Sequence, residues 1–392
     1  MEAEIIVVGG GFAGALVATV FGRAGYDVAL IDPHEKYPAD FRCEKLEGYR
    51  FEILRRLGLF ECVSRISTHM EELWIARFGR LLDKVPFHQG SFRYEDLVNA
   101  VRAQVPNAVK RYVSWAEEIQ PSATAPSVRL LDGSEIKGRL VVMASGLNWS
   151  LLEKLGMERE LLSRCHSLTL GFDLQRTDGL EFAFQGLQYN AERVGDDVGY
   201  ITLFRLERTM RANLFLYMPL KDPRVARFRE DPTQALEALL PRLARLTGPY
   251  QVVGPVKIRP TDLQAMRKVE ADGVVAIGDA FAVPCPATGT GTLKVLTDVE
   301  RLREHVPGWL ASPGMSSGKI AAFYADPLKR ACDEASLAYA SRLRWLATDT
   351  GPASHAHHWA RFVSRVARRM LRGLRRLRPG APNRPERFAK SA

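Results

Sequence analysis

Two groups of residues, far apart in the chain, have the types and spacing to hold a phosphorylated ligand. The first is Gly9-Gly10-Gly11-Phe12-Ala13-Gly14, a Gly-x-Gly-x-x-Gly sequence, with Asp32 eighteen residues beyond its last glycine. In such a sequence Gly9 permits a tight turn, Gly11 lets the backbone approach a pyrophosphate, and Gly14 lets a helix pack on the preceding strand. Free N–H groups at that helix start, with a dipole worth about half a charge, hold phosphate oxygens. The Asp32 carboxylate accepts a hydrogen bond from an adenosine ribose hydroxyl and repels a 2′-phosphate. Strands on both sides favour a dinucleotide site over a flexible turn, but this group does not separate one adenine dinucleotide from another. The second group is Gly278-Asp279-Ala280, followed by Pro286, Gly289 and Gly291 ahead of a helical segment. Taken alone it is equally an ordinary strand, loop and helix with turn glycines.

The elements that must position these residues are visible as short apolar runs. Ile5–Val8 reads as a buried parallel strand, Ala15–Phe21 as helix running on to Gly25, and Asp27–Asp32 as a second strand that ends in the acid. Leu140–Met143 is a third such strand, leading into Ala144-Ser145-Gly146, and Val274–Ile277 a later one that delivers Asp279; helix is expected over 292–303. Between them Leu168–Leu174, Leu180–Phe184, Tyr200–Leu206 and Met210–Tyr217 are rich in β-branched and aromatic residues and are punctuated by turns such as Thr177-Asp178-Gly179, which suggests an antiparallel sheet. The expected architecture is α/β. It has a discontinuous Rossmann-like domain over 1–165 and 255–305, an inserted antiparallel-sheet domain over 166–254, and a C-terminal helical region over 306–392.

With 392 residues, 46% of them hydrophobic, the chain exceeds the size at which one core stops growing, which agrees with two intertwined domains. Cys43, Cys62, Cys165, Cys285 and Cys332 are scattered without paired spacing, so neither a zinc site nor a disulfide framework is expected, and the thiols read as reduced in a cytoplasm. No run reaches the apolar length of a membrane-spanning helix. The net charge of +10 is local: residues 361–392 hold ten arginines and Lys390 against the single acid Glu386. From Trp359 the apolar residues Trp359, Val363, Val366, Met370, Leu374 and Leu377 recur at steps of three and four with arginines between them, a basic amphipathic helix ending near Pro379-Gly380. Its apolar face suits either the body of the protein or an anionic membrane surface, so the expected location is cytoplasmic, with a peripheral place at the inner membrane face as an option. No motif accompanies the charge that would read nucleic acid.

The glycine fingerprint, together with the late strand, Gly278-Asp279, the step to Pro286 and the glycines that open a helix, resembles the FAD-dependent aromatic-ring monooxygenases, the family of p-hydroxybenzoate hydroxylase and the ubiquinone-pathway hydroxylases. The resemblance frames residues 1 to about 305 and implies that 1–165 with 255–305 bind FAD while the inserted sheet roofs a substrate. It implies that Asp279 bonds the ribityl chain, that Thr290, Gly291 and Thr292 offer backbone donors to the flavin edge where negative charge develops, and that Gly289 and Gly291 let the chain pass the ring. Arg42 and Arg93 fall where the family places arginines that contact the cofactor. Phe182, Phe184, Tyr200, Phe204 and Phe215 become candidate walls of the substrate site.

The implied activity is insertion of one oxygen atom from O2 into an aromatic or prenylated small molecule through a flavin hydroperoxide, with NAD(P)H as a transient electron donor and no metal. The sequence departs from the family at Ser145, where the hydroxylases carry an acid linked to flavin and nicotinamide binding; a separate reductase is the alternative electron source. Tryptophan halogenases show a similar Ser-Gly, but their Trp-x-Trp-x-Ile-Pro segment and catalytic lysine are not recognisable over 71–93. An FAD-dependent reductase or dehydrogenase of a lipid-like substrate is the main rival, and a flavin-based redox sensor a third reading. Lys294 is expected to be a solvated helix lysine, and Cys285 a small buried thiol.

Overall fold

Ile5-Ile6-Val7-Val8 has no polar side, and in the computed structural model it forms the middle strand of a five-stranded parallel sheet. The structure describes residues 1–42, 44–269 and 271–376. Across the sheet the order is Val274–Ala276, Leu140–Met143, Ile5–Val8, Val28–Asp32 and Lys110–Val113, with Ile5 in register with both Leu140 and Val28. Alternate residues enter two separate cores. Ile5, Val7, Leu30 and Val142 pack with Leu16 of the first helix (Phe12–Arg23), Leu97 and Val101 of the helix Tyr94–Arg102, and Leu296 and Val299 of the distal helix (Gly291–Ala311). Ile6, Val8, Ile31 and Met143 pack instead with Ile119, Val128 and Ile136 from a small antiparallel sheet of Ala116–Gln120, Ser127–Leu130 and Glu135–Lys137. A strand covered on both faces gains from every residue, about 1.5–3 kcal/mol per buried Val, Leu or Ile side chain, which is why these runs do not alternate. The edge strand Val274–Ala276 is finished by a side chain: the Tyr324 hydroxyl accepts from the Ala276 N–H at 2.7 Å and donates to its carbonyl at 3.2 Å.

This sheet belongs to a unit made of Met1–His69, Gln89–His166 and Pro260–Ala340; Met70–His88, Ser167–Arg259 and the chain from Ser341 onward make a second. In the second unit Leu168–Leu174, Met210–Leu216, Ile201–Leu206 and Gly186–Asn190 lie side by side in antiparallel register, with Thr202 opposite Asn213 and Gln188. One face carries Leu168, Leu170, Phe172, Leu203, Ala212 and Leu214, and the Phe172 ring meets Phe228 of the helix Pro223–Glu230 at 6.1 Å. The other carries Thr169, Asp173, Tyr200, Thr202, Phe204, Arg211, Asn213 and Phe215.

The α/β class, the Rossmann-like sheet, the antiparallel sheet and the helical C-terminal region are all present. Three details differ from expectation. Leu180–Phe184 is not a strand: Asp178 binds Arg176 and accepts from the Leu180 N–H, which prolongs the turn, and pairing resumes only at Gly186. The antiparallel sheet also gains a parallel neighbour, Thr68–Arg77 alongside Gly186–Asn190. The basic helix begins earlier, at Pro352, and is described to Arg376; Leu377 and Pro379-Gly380 lie outside the described residues, as does Cys43.

Candidate functional site

The glycine fingerprint folds as a turn between the strand Ile5–Val8 and the first helix. Gly9 has φ +101°, and a Cβ there would lie 2.5 Å from the Ala144 carbonyl oxygen, so no larger residue fits. A Cβ on Gly14 would coincide with the Gly9 carbonyl, which fixes how closely the helix approaches the strand. Gly11 is the opposite case, with nothing nearer than the Tyr37 ring at 3.8 Å. The N–H groups of Gly11, Phe12 and Ala13 have no acceptor among the described residues, as expected of a helix start. Asp32 fastens the turn, its carboxylate accepting from Gly10 N–H at 2.6 Å and His34 N–H at 2.9 Å. Each oxygen keeps a further lone pair for another donor.

The distal motif begins at the same turn. Gly278 abuts the first helix, since a Cβ on it would be 3.5 Å from that of Ala13, and Asp279 receives the Arg42 guanidinium at 2.7 Å. Arg42 also donates to Asp40 at 2.6 Å, and the Tyr37 hydroxyl donates to the same carboxylate at 3.0 Å. A continuous surface therefore runs from Gly11 through Tyr37, Asp40 and Arg42 to Asp279, joining the two motifs within one unit. Burial works to lower the Arg42 pKa, but Asp279, Tyr94 and Asp40 outweigh it and hold it above its ordinary value. Burial, reinforced by Asp40, raises the Tyr37 phenol. Arg93 is exposed and precedes the helix Tyr94–Arg102, whose Tyr94 ring meets Tyr37 edge-on at 5.8 Å.

Beyond Asp279, Pro286 opens a short 3-10 turn ending at Gly289, whose φ of +65° reverses the chain into the distal helix. A Cβ on Gly289 would meet nothing within 4 Å, so this stretch has room for a flat group to come close. The N–H groups of Gly291 and Thr292 lack acceptors among the described residues, whereas that of Thr290 is taken by the Thr288 hydroxyl at 3.2 Å. Cys285 is fully buried, its carbonyl accepting from the Thr288 hydroxyl at 2.7 Å. The residues present thus fit an extended dinucleotide: two helix starts with unclaimed donors, an acid beside each, and open glycines where a ligand would approach.

Several residues that shape this site carry no motif. Arg50, on the helix Tyr49–Arg56, is almost fully buried and donates to the Gly289 carbonyl at 2.8 Å. The indole N–H of Trp149 is shared between the carbonyls of Gly146 and Asp279, at 3.1 and 3.0 Å, so it ties the Ser145-Gly146 turn to the distal motif. Ser145 itself donates to the Asn148 carbonyl at 2.7 Å. Lys294 corrects the expectation of a solvated lysine: it is 5% exposed and paired with Asp333. Asp333 also receives Lys329 at 3.2 Å, Lys329 binds Asp298 at 2.7 Å, and Asp298 accepts the Gly278 N–H at 2.8 Å. Burial opposes charge on Lys329, but the two carboxylates prevail and raise its pKa. Ser336 completes the set by a 2.6 Å hydroxyl contact with Thr290. Lys329, Asp333 and Ser336 share one face of the helix Pro327–Thr348, at steps of four and three, which is the sequence signal that could have found them.

Residues 2–303 match the model of a family described as FAD binding domain. Over 359 residues the chain is 22% identical to digeranylgeranylglycerophospholipid reductase 1 of Methanothermobacter thermautotrophicus, covering 85% of this chain and 83% of that protein. It is also 22% identical, over 326 residues, to squalene monooxygenase of Rattus norvegicus, covering 77% of this chain and 54% of the relative's length. In fold it is similar to p-nitrophenol 4-monooxygenase PnpA from Pseudomonas putida DLL-E4, with a TM-score of 0.76 at 17% identity over 95% of this chain and 98% of that one. At such identity the likeness to a solved structure speaks for the fold alone.

Proposed function

This chain belongs to the FAD binding domain family and is an FAD-dependent oxidoreductase, and from that premise we propose that it is a monooxygenase acting on an aromatic or prenylated small molecule. The reaction takes one molecule of O2, two electrons and two protons, places one oxygen atom on the substrate and releases the other as water. The single observation that carries this reading is the continuous surface in which the open start of the first helix and the open start of the distal helix are joined through Tyr37, Asp40, Arg42 and Asp279. Bound FAD would supply the redox chemistry and the activation of oxygen.

The chain's own residues would bind and orient. The Gly11, Phe12 and Ala13 N–H groups receive the pyrophosphate, Asp32 the adenosine ribose, and Asp279, held by Arg42, the ribityl hydroxyls. The N–H groups of Gly291 and Thr292, at a helix start without acceptors among the described residues, would donate to the negative charge that reduction leaves on a bound flavin, and so would favour the reduced state. Electrons come from NADH or NADPH, or from a separate reductase, the option that Ser145 favours.

The test is anaerobic reduction of the holoprotein with NADH, NADPH or a reductase, followed by phenolic and prenylated compounds with measured oxygen. Equimolar oxygen uptake and hydroxylated product are expected. Product formed without oxygen would sink the proposal and favour the second reading, a reductase of a lipid-like substrate, which is supported by the likeness to a relative named as a digeranylgeranylglycerophospholipid reductase.

A further inference from the structure

The terminal helix (Pro352–Arg376) is held by one side and leaves another bare. Ser354 is fully buried, His358 bonds the Leu346 carbonyl at 2.8 Å and the Arg77 guanidinium at 3.2 Å, and the Phe362 ring meets Phe78 edge-on at 5.7 Å. These residues recur every four positions, so they form one stripe along the helix. Trp359 and Val363 form the adjoining stripe, and each is 58% exposed although both are large and apolar. The stripe of Trp359 and Val363 is therefore not the side of this amphipathic helix that packs on its own unit. Anchoring by a histidine and a phenylalanine turns it outward.

The charge of the helix says what covers that side. From 352 to 376 there are seven arginines and three histidines and no aspartate or glutamate. By helical spacing none of the arginines falls on the Trp359–Val363 line. A second copy of the chain would bring the same uncompensated arginines together. A nucleic acid would satisfy the arginines and leave Trp359 and Val363 in water. An anionic bilayer satisfies both: a tryptophan rests at the headgroup boundary with an apolar neighbour below it, while arginine side chains reach up to lipid phosphates. No helix among the described residues is long and apolar enough to cross a membrane, so the contact would be with the surface.

We propose that the terminal helix is a membrane-surface docking element, which lays Trp359 and Val363 into the interface of an anionic lipid bilayer. The proposal does not depend on the reading of the cofactor site, and its test leaves that reading untouched. The full chain is sedimented with vesicles of phosphatidylglycerol and, separately, of phosphatidylcholine. At least about tenfold more protein is expected on the anionic vesicles, with a steep loss on added salt. A double substitution, Trp359→Ser with Val363→Ser, lies on the exposed side and is expected to reduce binding about fivefold or more while thermal melting and FAD content stay as in the parent, because less apolar area enters the interface. Equal binding to both lipids, an unchanged double variant, or a dimer in light scattering that the double substitution dissolves would each overturn the proposal. So would RNA that binds the chain and strips it from the vesicles regardless of Trp359 and Val363.

Discussion

The parallel sheet around Ile5–Val8 is apolar on both faces, whereas the sheet around Ile201–Leu206 is apolar on one face and polar on the other. In the four apolar strands of the first, polar chemistry is confined to the strand ends, in backbone N–H groups and in residues such as Asp32 and Asp279. In the second it sits mid-strand: the side-chain oxygens of Thr169, Thr202 and Asn213 are buried without a hydrogen-bond partner among the described residues, and Thr202 and Asn213 are cross-strand neighbours. An unsatisfied buried polar group costs about 1–3 kcal/mol, so the second sheet gives up stability along one face while the first gives up none. The first sheet sets the scaffold; that the polar face of the second serves recognition is a proposal, and Thr202→Val tests it.

Three substitutions test that contrast. The largest effect is expected for Lys329→Met, in the unit of the parallel sheet, because removing the cation leaves Asp298 buried beside the Gly278 turn; a loss of about 3–5 kcal/mol is expected in urea unfolding. A loss below about 1 kcal/mol would mean that the network is screened by water and that the scaffold does not depend on it. Gly14→Ala comes next, since its methyl would collide with the Gly9 carbonyl. The expected cost is about 1–3 kcal/mol with most of the bound FAD lost, read as the ratio of flavin to protein absorbance. The smallest change in stability belongs to Thr202→Val, which removes an unpartnered hydroxyl at nearly constant volume. Stability is expected to hold or rise by up to about 1 kcal/mol, while the apparent substrate affinity falls. A clear destabilisation there would show that the polar face is structural and would erase the contrast.

The same contrast explains what could be read in advance. Uninterrupted apolar runs announce strands buried on both faces, and glycines at fixed offsets announce the turns between strands and helices, so four strands of the parallel sheet and both motifs are legible; the edge strand Lys110–Val113, charged and largely exposed, carries no such signal. Leu180–Phe184 had the composition of a strand, but one Asx-type bond from the Leu180 N–H to Asp178 held the chain in its turn. Arg50 and Trp149 carry no sequence signal for the site because what they hold there are backbone carbonyls, which no residue type marks. Lys294 looked solvated because its partner, Asp333, lies on another helix, beyond the span of the distal motif.

Tyr324 bears on how the protein behaves in a crowd. An outer strand with unclaimed backbone groups is a template on which a neighbouring molecule can add its own strand. By answering both the N–H and the carbonyl of Ala276, one phenol closes the C-terminal end of that three-residue edge. That hydroxyl thus withholds this end of the edge from the first step of aggregation at high concentration, while the opposite edge, Lys110–Val113, carries charged side chains instead.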